Sequence, residues 1–186
     1  MMHFISNGNN SIDSDAWAPW SVSQMPSQQG KVVVITGANA GTGFEAAKIL
    51  AEHNAIVVLA CRNEALGKQA QRAILEHVAQ QRESSLLMND EQAKLAAPQI
   101  EYMHLDLGHL ASIEAFVDEF RASFSHLDLL INNAGVAAPA QKRTTDGLES
   151  QFGINHVGHF YLTKLLFDLL EKSPSARVVN PLAPAC

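Results

Sequence analysis

The chain has 186 residues, 47% of them hydrophobic and 17% charged, and its formal net charge is −6. This composition fits one ordinary globular domain with a sizeable core, and the negative charge argues against a general binder of nucleic acid or of anionic membranes. No apolar run approaches the roughly 20 residues of a membrane-spanning helix, and the N-terminus lacks the pattern of a secretory signal, so we expect a cytoplasmic protein. The two cysteines and the scattered histidines form no ligand cluster, so we expect neither a disulfide framework nor a metal site.

The N-terminal segment differs in composition from the rest of the chain. Residues 1–29 are rich in Ser, Asn and Gln and show little periodicity, which predicts a flexible leader in front of a single domain over residues 30–186. Trp17 and Trp20 interrupt this composition, and they could either dock on the domain or lie exposed.

From residue 31 onward, short apolar runs alternate with helical patterns. The apolar runs predict five strands, at residues 31–36, 55–60, 100–107, 127–135 with its exit turn, and 176–180. Helices are predicted after the first strand, at about 64–80, around 113–120 and at about 148–171, whereas residues 82–98 lack a period and predict a surface insertion. This alternation predicts a doubly wound parallel α/β sheet of Rossmann type, with strand order 3-2-1-4-5, that stops after the fifth strand.

A glycine-rich turn, "TGANAGTG", separates the first strand from its helix and contains Gly37, Gly41 and Gly43. Glycine permits a tight turn and lets backbone N–H groups approach a phosphate, and the helix N-terminus adds a partial positive charge. The spacing Gly-x-x-x-Gly-x-Gly differs from the common dinucleotide fingerprint Gly-x-Gly-x-x-Gly, and no Gly-Lys-Ser/Thr follows it. The placement predicts nucleotide binding, and the alternative is a plain strand–helix turn.

Three motifs in order, "TGANAGTG", "NNAG" and "GINHVGHF", resemble the classical short-chain dehydrogenase/reductase family over residues 30–180. The segments "ACRN", "LDL" and "DGLESQFGINHVGHFYLT" are similar to its retinol-dehydrogenase-like branch. The resemblance implies an oxidoreductase that transfers hydride between NAD or NADP and a small lipophilic, retinoid-like aldehyde, ketone or alcohol. It also implies that no metal takes part, and it allows a homo-oligomer.

The resemblance also implies roles for individual residues. It assigns cofactor binding to residues of the glycine turn, of the end of the third strand and of the turn after the fourth strand: Gly37, Asn39, Gly41, Thr42, Gly43, Asp106, Leu107, Asn133, Ala134 and Gly135. Thr42 stands where this branch commonly has isoleucine, and its hydroxyl has no assigned role. Asn133 would brace the sheet. Asn155 would lie at an inward position and hold a water of a proton relay, with a helix-capping or core-bonded Asn as the alternative.

Arg62 follows the glycine turn by about 20 residues, where this fold places the group that reads the ribose 2′ position. An acid there accepts a hydrogen bond from the 2′-hydroxyl of NAD, whereas an arginine pairs with the 2′-phosphate of NADP. Because Cys61 and Arg62 occupy the position and Glu64 is expected to start the next helix, the sequence favours NADP over NAD. The alternative is that Arg62 is an ordinary surface arginine.

The residues that carry the family's acid–base chemistry have no match in this sequence. The family uses a Ser after the fifth strand and a Tyr-x-x-x-Lys pair, whereas this chain reads "RVVNPLAPAC" after residue 176. Tyr161 and Lys164 are one residue too close and lie in the helix of Asn155, so we do not interpret them as the catalytic pair. We therefore expect a truncated chain that is inactive alone, and the alternatives are a non-catalytic NADP-binding or interaction protein and a truncated gene product.

Overall fold

The computed structural model describes residues 20–87 and 97–181. Five parallel strands in this part of the chain form one sheet in the order β3-β2-β1-β4-β5, as the sequence predicts. The strands are β1 Val32–Thr36, β2 Ile56–Cys61, β3 Ile100–His104, β4 Leu129–Ile131 and β5 Arg177–Val179. Three helices connect the first four strands: α1 Gly41–Glu52, α2 Glu64–Leu87 and α3 Leu110–Ser123. The doubly wound architecture is confirmed.

The sheet is covered on both faces because neighbouring residues of each strand point in opposite directions. Val33 and Ile35 of β1 pack in a cluster with residues of α1 and α2. Val32 and Val34 pack in a second cluster with residues of α3 and of the last helix. β1 pairs with β2 on one side and with β4 on the other, so it lies at the centre of the sheet.

Helix α2 is longer than the sequence pattern indicates. It runs to Leu87, so the first residues of the expected insertion are helical, and residues 88–96 of that insertion lie outside the described residues. Arg82 donates a hydrogen bond to Asn54 Oδ1 at 2.8 Å, which ties this extra length to the end of α1. The end of the helix was not predicted because its last turns carry mostly polar residues and so lack an apolar stripe. Residues with good helix propensity can continue a helix without such a stripe.

The helix predicted at 148–171 is continuous but not uniform. It consists of a short α4, Ser150–Phe152, a π-helical turn, Gly153–Gly158, and α5, His159–Glu171. A Cβ on Gly158 would lie 2.5 Å from the Leu107 carbonyl oxygen, so the π-helical turn packs directly on the backbone that follows β3. The π-helical turn is a local irregularity that the hydrophobic pattern does not reveal.

Part of the segment before β1 contacts the domain. Val22–Gln24 form a single 3₁₀ turn, and Met25 packs against the core cluster of Val33, while Trp20 is 63% exposed. Trp17 lies outside the described residues. The division into a leader over 1–29 and a domain over 30–186 stays a prediction.

No helix within residues 20–87 and 97–181 is long and apolar enough to cross a membrane, and a cytoplasmic location stays a prediction.

Strand β5 forms one edge of the sheet: it pairs with β4, and no described strand pairs with its outer edge. Val178 and Val179 on that strand are 39% and 41% exposed. The homo-oligomer also stays a prediction.

The packing of α5 against the sheet predicts losses of stability of very different size for substitutions at two adjacent residues. Leu166 is fully buried and Phe167 is 54% exposed. We expect Leu166→Ala to lower the free energy of unfolding by about 2–5 kcal/mol, because it leaves a cavity, and Phe167→Ala to lower it by about 0.5 kcal/mol or less. Urea unfolding of the 186-residue chain measures both, and equal losses would contradict the placement of α5.

Candidate cofactor-binding site

A cleft of about 480 Å³ opens at the carboxyl edge of the sheet. After β1 the chain continues to β2 on one side of the sheet, and β4 pairs with β1 on the other side, so the strand order reverses at β1. Doubly wound sheets bind ligands at this reversal. Eight of the residues predicted to bind cofactor line it together: Gly37, Asn39, Arg62, Asp106, Leu107, Asn133, Ala134 and Gly135. Gly41, Thr42, Gly43 and Asn155 are not among its lining residues.

The glycine turn packs directly against the turn that follows β4. Gly37 has a φ of +65°, and a Cβ there would lie 3.0 Å from the Ala134 Cα. A Cβ on Gly43 would collide with the Asn133 amide and would lie 2.9 Å from the Gly37 carbonyl oxygen. These two glycines are therefore required by the close approach of the two backbones.

Helix α1 begins at Gly41, and its N-terminus points a set of backbone N–H groups outward. Ala40 precedes the helix and has no side chain that can accept a hydrogen bond from these groups. Gly41 has a φ of +58°, and a Cβ there would meet no atom within 4 Å. An uncapped helix N-terminus beside open space is suited to a phosphate, which would accept from the N–H groups and interact favourably with the helix dipole. Thr42 is exposed in this first turn, and no contact assigns it a role.

Thr36 and Asn133 connect the two turns by hydrogen bonds. The Asn133 amide donates to the Thr36 carbonyl oxygen at 3.0 Å, and the Ala134 N–H donates to the Thr36 hydroxyl oxygen at 2.9 Å. Thr36 is fully buried, so these bonds replace the water that its polar groups lose on folding. Thr36 is the first residue of the motif "TGANAGTG", and its role in joining the two turns was not predicted from the sequence.

Cys61 lies at the end of β2 and also lines the cleft. Burial raises the pKa of its thiol to about 11, even though the backbone N–H groups of Ala38 and Asn39 lower it. The thiol is therefore neutral near pH 7, and only a thiolate is a good nucleophile. The sequence analysis named Cys61 only as the neighbour of Arg62. Its place beside the glycine turn follows from the pairing of β2 with β1.

Arg62 is exposed at the rim of the cleft, and no carboxylate of the described residues lies within ion-pair distance of it. Glu64 is the first residue of α2, as expected, and its carboxylate lies 2.6 Å from Lys68 Nζ. The hydrogen bond and charge of Lys68 lower the pKa of Glu64. The end of β2 therefore presents one guanidinium to the cleft, while the nearby acid is paired along its own helix.

Asp106 and Leu107 follow β3 rather than end it, because the strand stops at His104. The Asp106 carboxylate accepts from the Gly108 N–H at 2.9 Å, and the Asp106 N–H donates to the Ser112 hydroxyl at 2.9 Å. These bonds hold the loop against the start of α3, where both residues line the cleft.

Asn155 does not lie where the sequence analysis expected. It was expected at an inward position, but the residue is exposed on the π-helical turn. Its side-chain oxygen accepts from the Val136 N–H at 2.8 Å, and its amide donates to the Val136 carbonyl oxygen at 2.9 Å. The inward position was what the resemblance to the family implied, whereas the π-helical turn places the Asn155 side chain against the turn after β4. The role of Asn155 in a proton relay stays a prediction.

Tyr161 and Lys164 do not line the cleft. The Tyr161 hydroxyl donates to the Glu114 carboxylate of α3 at 2.5 Å, and this bond raises the pKa of Tyr161. The phenol is therefore held against a neighbouring helix in its neutral form. This geometry agrees with not assigning the pair a catalytic role.

Comparison with known proteins identifies the family. The family model "short chain dehydrogenase" matches residues 31–183. The chain belongs to the short-chain dehydrogenase family. WW domain-containing oxidoreductase of Gallus gallus is 44% identical over 150 residues, and retinol dehydrogenase 11 of Mus musculus is 43% identical over 151 residues. Each alignment covers 81% of this chain, but it covers only 32% of the first relative and 42% of the second. The chain thus spans less than half the length of these relatives, and the resemblance to the retinol-dehydrogenase-like branch is confirmed.

Solved structures show the same fold. An uncharacterised protein from Mycobacterium paratuberculosis is 38% identical with a TM-score of 0.64, covering 82% of this chain and 47% of that one. A short chain dehydrogenase from Escherichia coli CFT073, complexed with NADPH, is 24% identical with a TM-score of 0.61, covering 81% of this chain and 57% of the other. Short-chain dehydrogenases are oxidoreductases that bind a nicotinamide cofactor. Within the described residues, no three His, Cys, Asp or Glu side chains are grouped so as to hold a metal ion.

The packing of the two turns predicts the effect of a single added methyl group. We expect Gly43→Ala to lower the affinity for NADPH at least about tenfold, because its Cβ displaces the Asn133 amide and the Gly37 carbonyl that shape the cleft. Calorimetric titration of the 186-residue chain measures the affinity. Gly30→Ala is the matched control: Gly30 has a φ of +78° and open space around it at the opposite end of β1. It should cost about 1–2 kcal/mol of stability through backbone strain and leave NADPH affinity unchanged. Equal NADPH affinities of the two variants would contradict the conclusion that the packing of the two turns shapes the cofactor site.

Proposed function

We propose that this chain is the cofactor-binding part of an NADP-dependent oxidoreductase that acts on lipophilic, retinoid-like aldehydes, ketones or alcohols. The observation that carries the proposal is the cleft, which has an uncapped helix N-terminus on one side and, at its rim, an Arg62 guanidinium that pairs with no carboxylate of the described residues. When bound, the nicotinamide cofactor supplies the hydride. The residues of the chain bind and orient that cofactor.

The phosphate-binding side of the cleft consists of backbone. The first N–H groups of α1 would donate hydrogen bonds to the pyrophosphate, and the missing side chain at Gly41 leaves open space beside them. The Asn39 and Ala134 backbones lie on either side of the same space. These groups are preorganised, because the hydrogen bonds of Thr36 and Asn133 hold both turns before any ligand binds.

The preference for NADP rests on charge at the end of β2. A 2′-phosphate carries negative charge that Arg62 can pair with, whereas the 2′-hydroxyl of NAD needs an acceptor such as a carboxylate. Glu64 is engaged by Lys68, so the end of β2 offers no free carboxylate among the described residues. The fold of this chain is also that of the E. coli protein complexed with NADPH.

The proposed substrate class rests on sequence similarity to relatives and not on the geometry of the cleft. Relatives named retinol dehydrogenase 11 and retinol dehydrogenase 12, both from Mus musculus, are 43% and 44% identical to this chain. They support a retinoid or another lipophilic carbonyl or alcohol as the substrate of the whole enzyme.

The 186-residue polypeptide itself is proposed to bind cofactor without turnover. General acid–base catalysis requires a group that exchanges a proton near neutral pH next to the reacting oxygen. The Cys61 thiol at the cleft has a pKa of about 11, and the Asn155 amide, outside the cleft lining, does not titrate. Tyr161 is bonded to Glu114 away from the cleft. A non-catalytic NADP-binding protein remains the second candidate for this polypeptide, favoured by the lack of a Tyr-x-x-x-Lys match in its sequence.

Cofactor preference tests the role of Arg62. We expect NADPH to bind more tightly than NADH, and we expect Arg62→Ala to lower NADPH affinity about tenfold to a hundredfold, because a charge-assisted hydrogen bond contributes about 1.5–3 kcal/mol. NADH affinity should stay the same. Calorimetric titration with both cofactors measures this, and Arg72→Ala, at an exposed arginine of α2, serves as the control. Unchanged NADPH affinity in Arg62→Ala would refute the assignment.

Turnover tests the second part of the proposal. We expect no NADPH consumption above background with retinal and other lipophilic aldehydes, since a positioned acid–base group typically contributes about 10²–10⁴-fold. The assay follows NADPH absorbance with the chain at a concentration where titration shows it saturated. Robust turnover that disappears in Tyr161→Phe or Lys164→Met would mean that this pair is catalytic after all.

A further inference from the structure

His159 is a buried histidine that neither the phosphate side nor the ribose side of the cleft uses. It is the first residue of α5, directly after the π-helical turn, and only 5% of it is exposed. Its Nδ1 lies 3.0 Å from the Asn155 carbonyl oxygen, and its Nε2 lies 2.9 Å from the Thr36 hydroxyl oxygen. The ring therefore connects the π-helical turn with the carboxyl end of β1, two elements that are 123 residues apart in sequence.

The partners of the ring determine where its proton lies. A carbonyl oxygen can only accept, so Nδ1 carries the hydrogen and donates it to Asn155. In the neutral ring Nε2 is then the acceptor, and the Thr36 hydroxyl donates to it. Burial lowers the pKa of His159, which favours this neutral form, although the bond to Asn155 acts in the opposite direction. The Thr36 oxygen in turn accepts from the Ala134 N–H at 2.9 Å.

These bonds close into a ring of hydrogen bonds. From Ala134 it passes through Thr36 and His159 to the backbone of Asn155, and the Asn155 side chain returns to the backbone of Val136 through two bonds. Ala134, Gly135 and Val136 form the wall of the cleft beyond β4. In this hydrogen-bond circuit, the imidazole of His159 connects the sheet to the π-helical turn.

We propose that His159 is a positioning residue for the cofactor, because its ring closes the hydrogen-bond circuit that holds the Ala134–Val136 wall at its distance from the glycine turn. This inference rests on the proposed binding of NADP. It assigns His159 an effect on one half of the cofactor. Under the proposed function, Arg62 and Asp106 would bind the adenosine half at the ends of β2 and β3. The Ala134–Val136 wall follows β4 on the other side of β1, so it would face the nicotinamide half.

The two halves can be measured separately with a fragment. Adenosine 2′,5′-bisphosphate contains the adenosine and 2′-phosphate half of NADP and lacks the nicotinamide half. Calorimetric titration of the 186-residue chain with NADPH and with this fragment is compared for the wild type, His159→Leu and His159→Asn. His156→Leu is the matched control, because His156 lies on the same π-helical turn but is exposed and stacks on Phe152.

We expect both His159 variants to lose about tenfold in NADPH affinity and to keep their affinity for the fragment within about twofold. His156→Leu should bind both ligands as the wild type does. His159→Asn keeps a polar side chain and a short donor toward Asn155, so it carries the comparison if His159→Leu does not fold.

Other outcomes overturn the inference in distinguishable ways. A His159 variant whose NADPH affinity is within twofold of the wild-type value would show that the His159 imidazole does not position the cofactor. An equal loss of affinity for NADPH and for the fragment would show that His159 only stabilises the fold. A wild-type chain that binds neither ligand would refute the proposed function itself.

Discussion

The arrangement of this molecule depends on the close contact between two backbone turns, one after β1 and one after β4. Parallel strands all leave the sheet at the same edge, so the loops that follow them must be held if they are to form one site. Here Gly37 and Gly43 remove the Cβ atoms that would keep the turns apart. Asn133 and Thr36 then bond across the contact. Leaving one of these buried groups unpaired would cost about 1–3 kcal/mol, so the contact is a specific one rather than a general apolar packing.

The positive groups of the cleft come from α1 and from the end of β2. Positive charge comes from the N-terminus of α1 and from Arg62. The Glu64 carboxylate is paired with the Lys68 ammonium, and the Cys61 thiol stays protonated. In a chain with a net charge of −6, the cleft therefore combines these two positive groups with the Asp106 carboxylate. A net charge calculated from composition does not reveal such backbone dipoles or a guanidinium at a defined position.

Several site residues could be predicted from the sequence because their function depends on local chemistry. The three glycines and Arg62 follow buried strands, and a strand–turn–helix pattern places such residues at the carboxyl edge whatever the details of packing. Asn155 and His159 are different, since their orientation depends on the π-helical turn between Gly153 and Gly158. The turn leaves Asn155 exposed beside Val136, whereas His159, four residues later, is buried against Thr36. The extension of α2 to Leu87 was missed for a related reason, because its polar last turns have no apolar stripe by which the pattern could follow them.

The sequence alone determined the class of the fold, the strand order and the family, since these follow from short buried strands, right-handed crossovers and motifs of fixed spacing. It also identified eight of the residues that line the cleft. Only the tertiary structure decided that Thr36, His159 and Asn155 form a hydrogen-bond circuit with the turn after β4, and that Tyr161 is held by Glu114 on α3. The physical reason is distance along the chain. Propensity and periodicity act over a few residues, whereas Thr36 and His159 are 123 residues apart and meet only because the sheet and the helices on it bring them together.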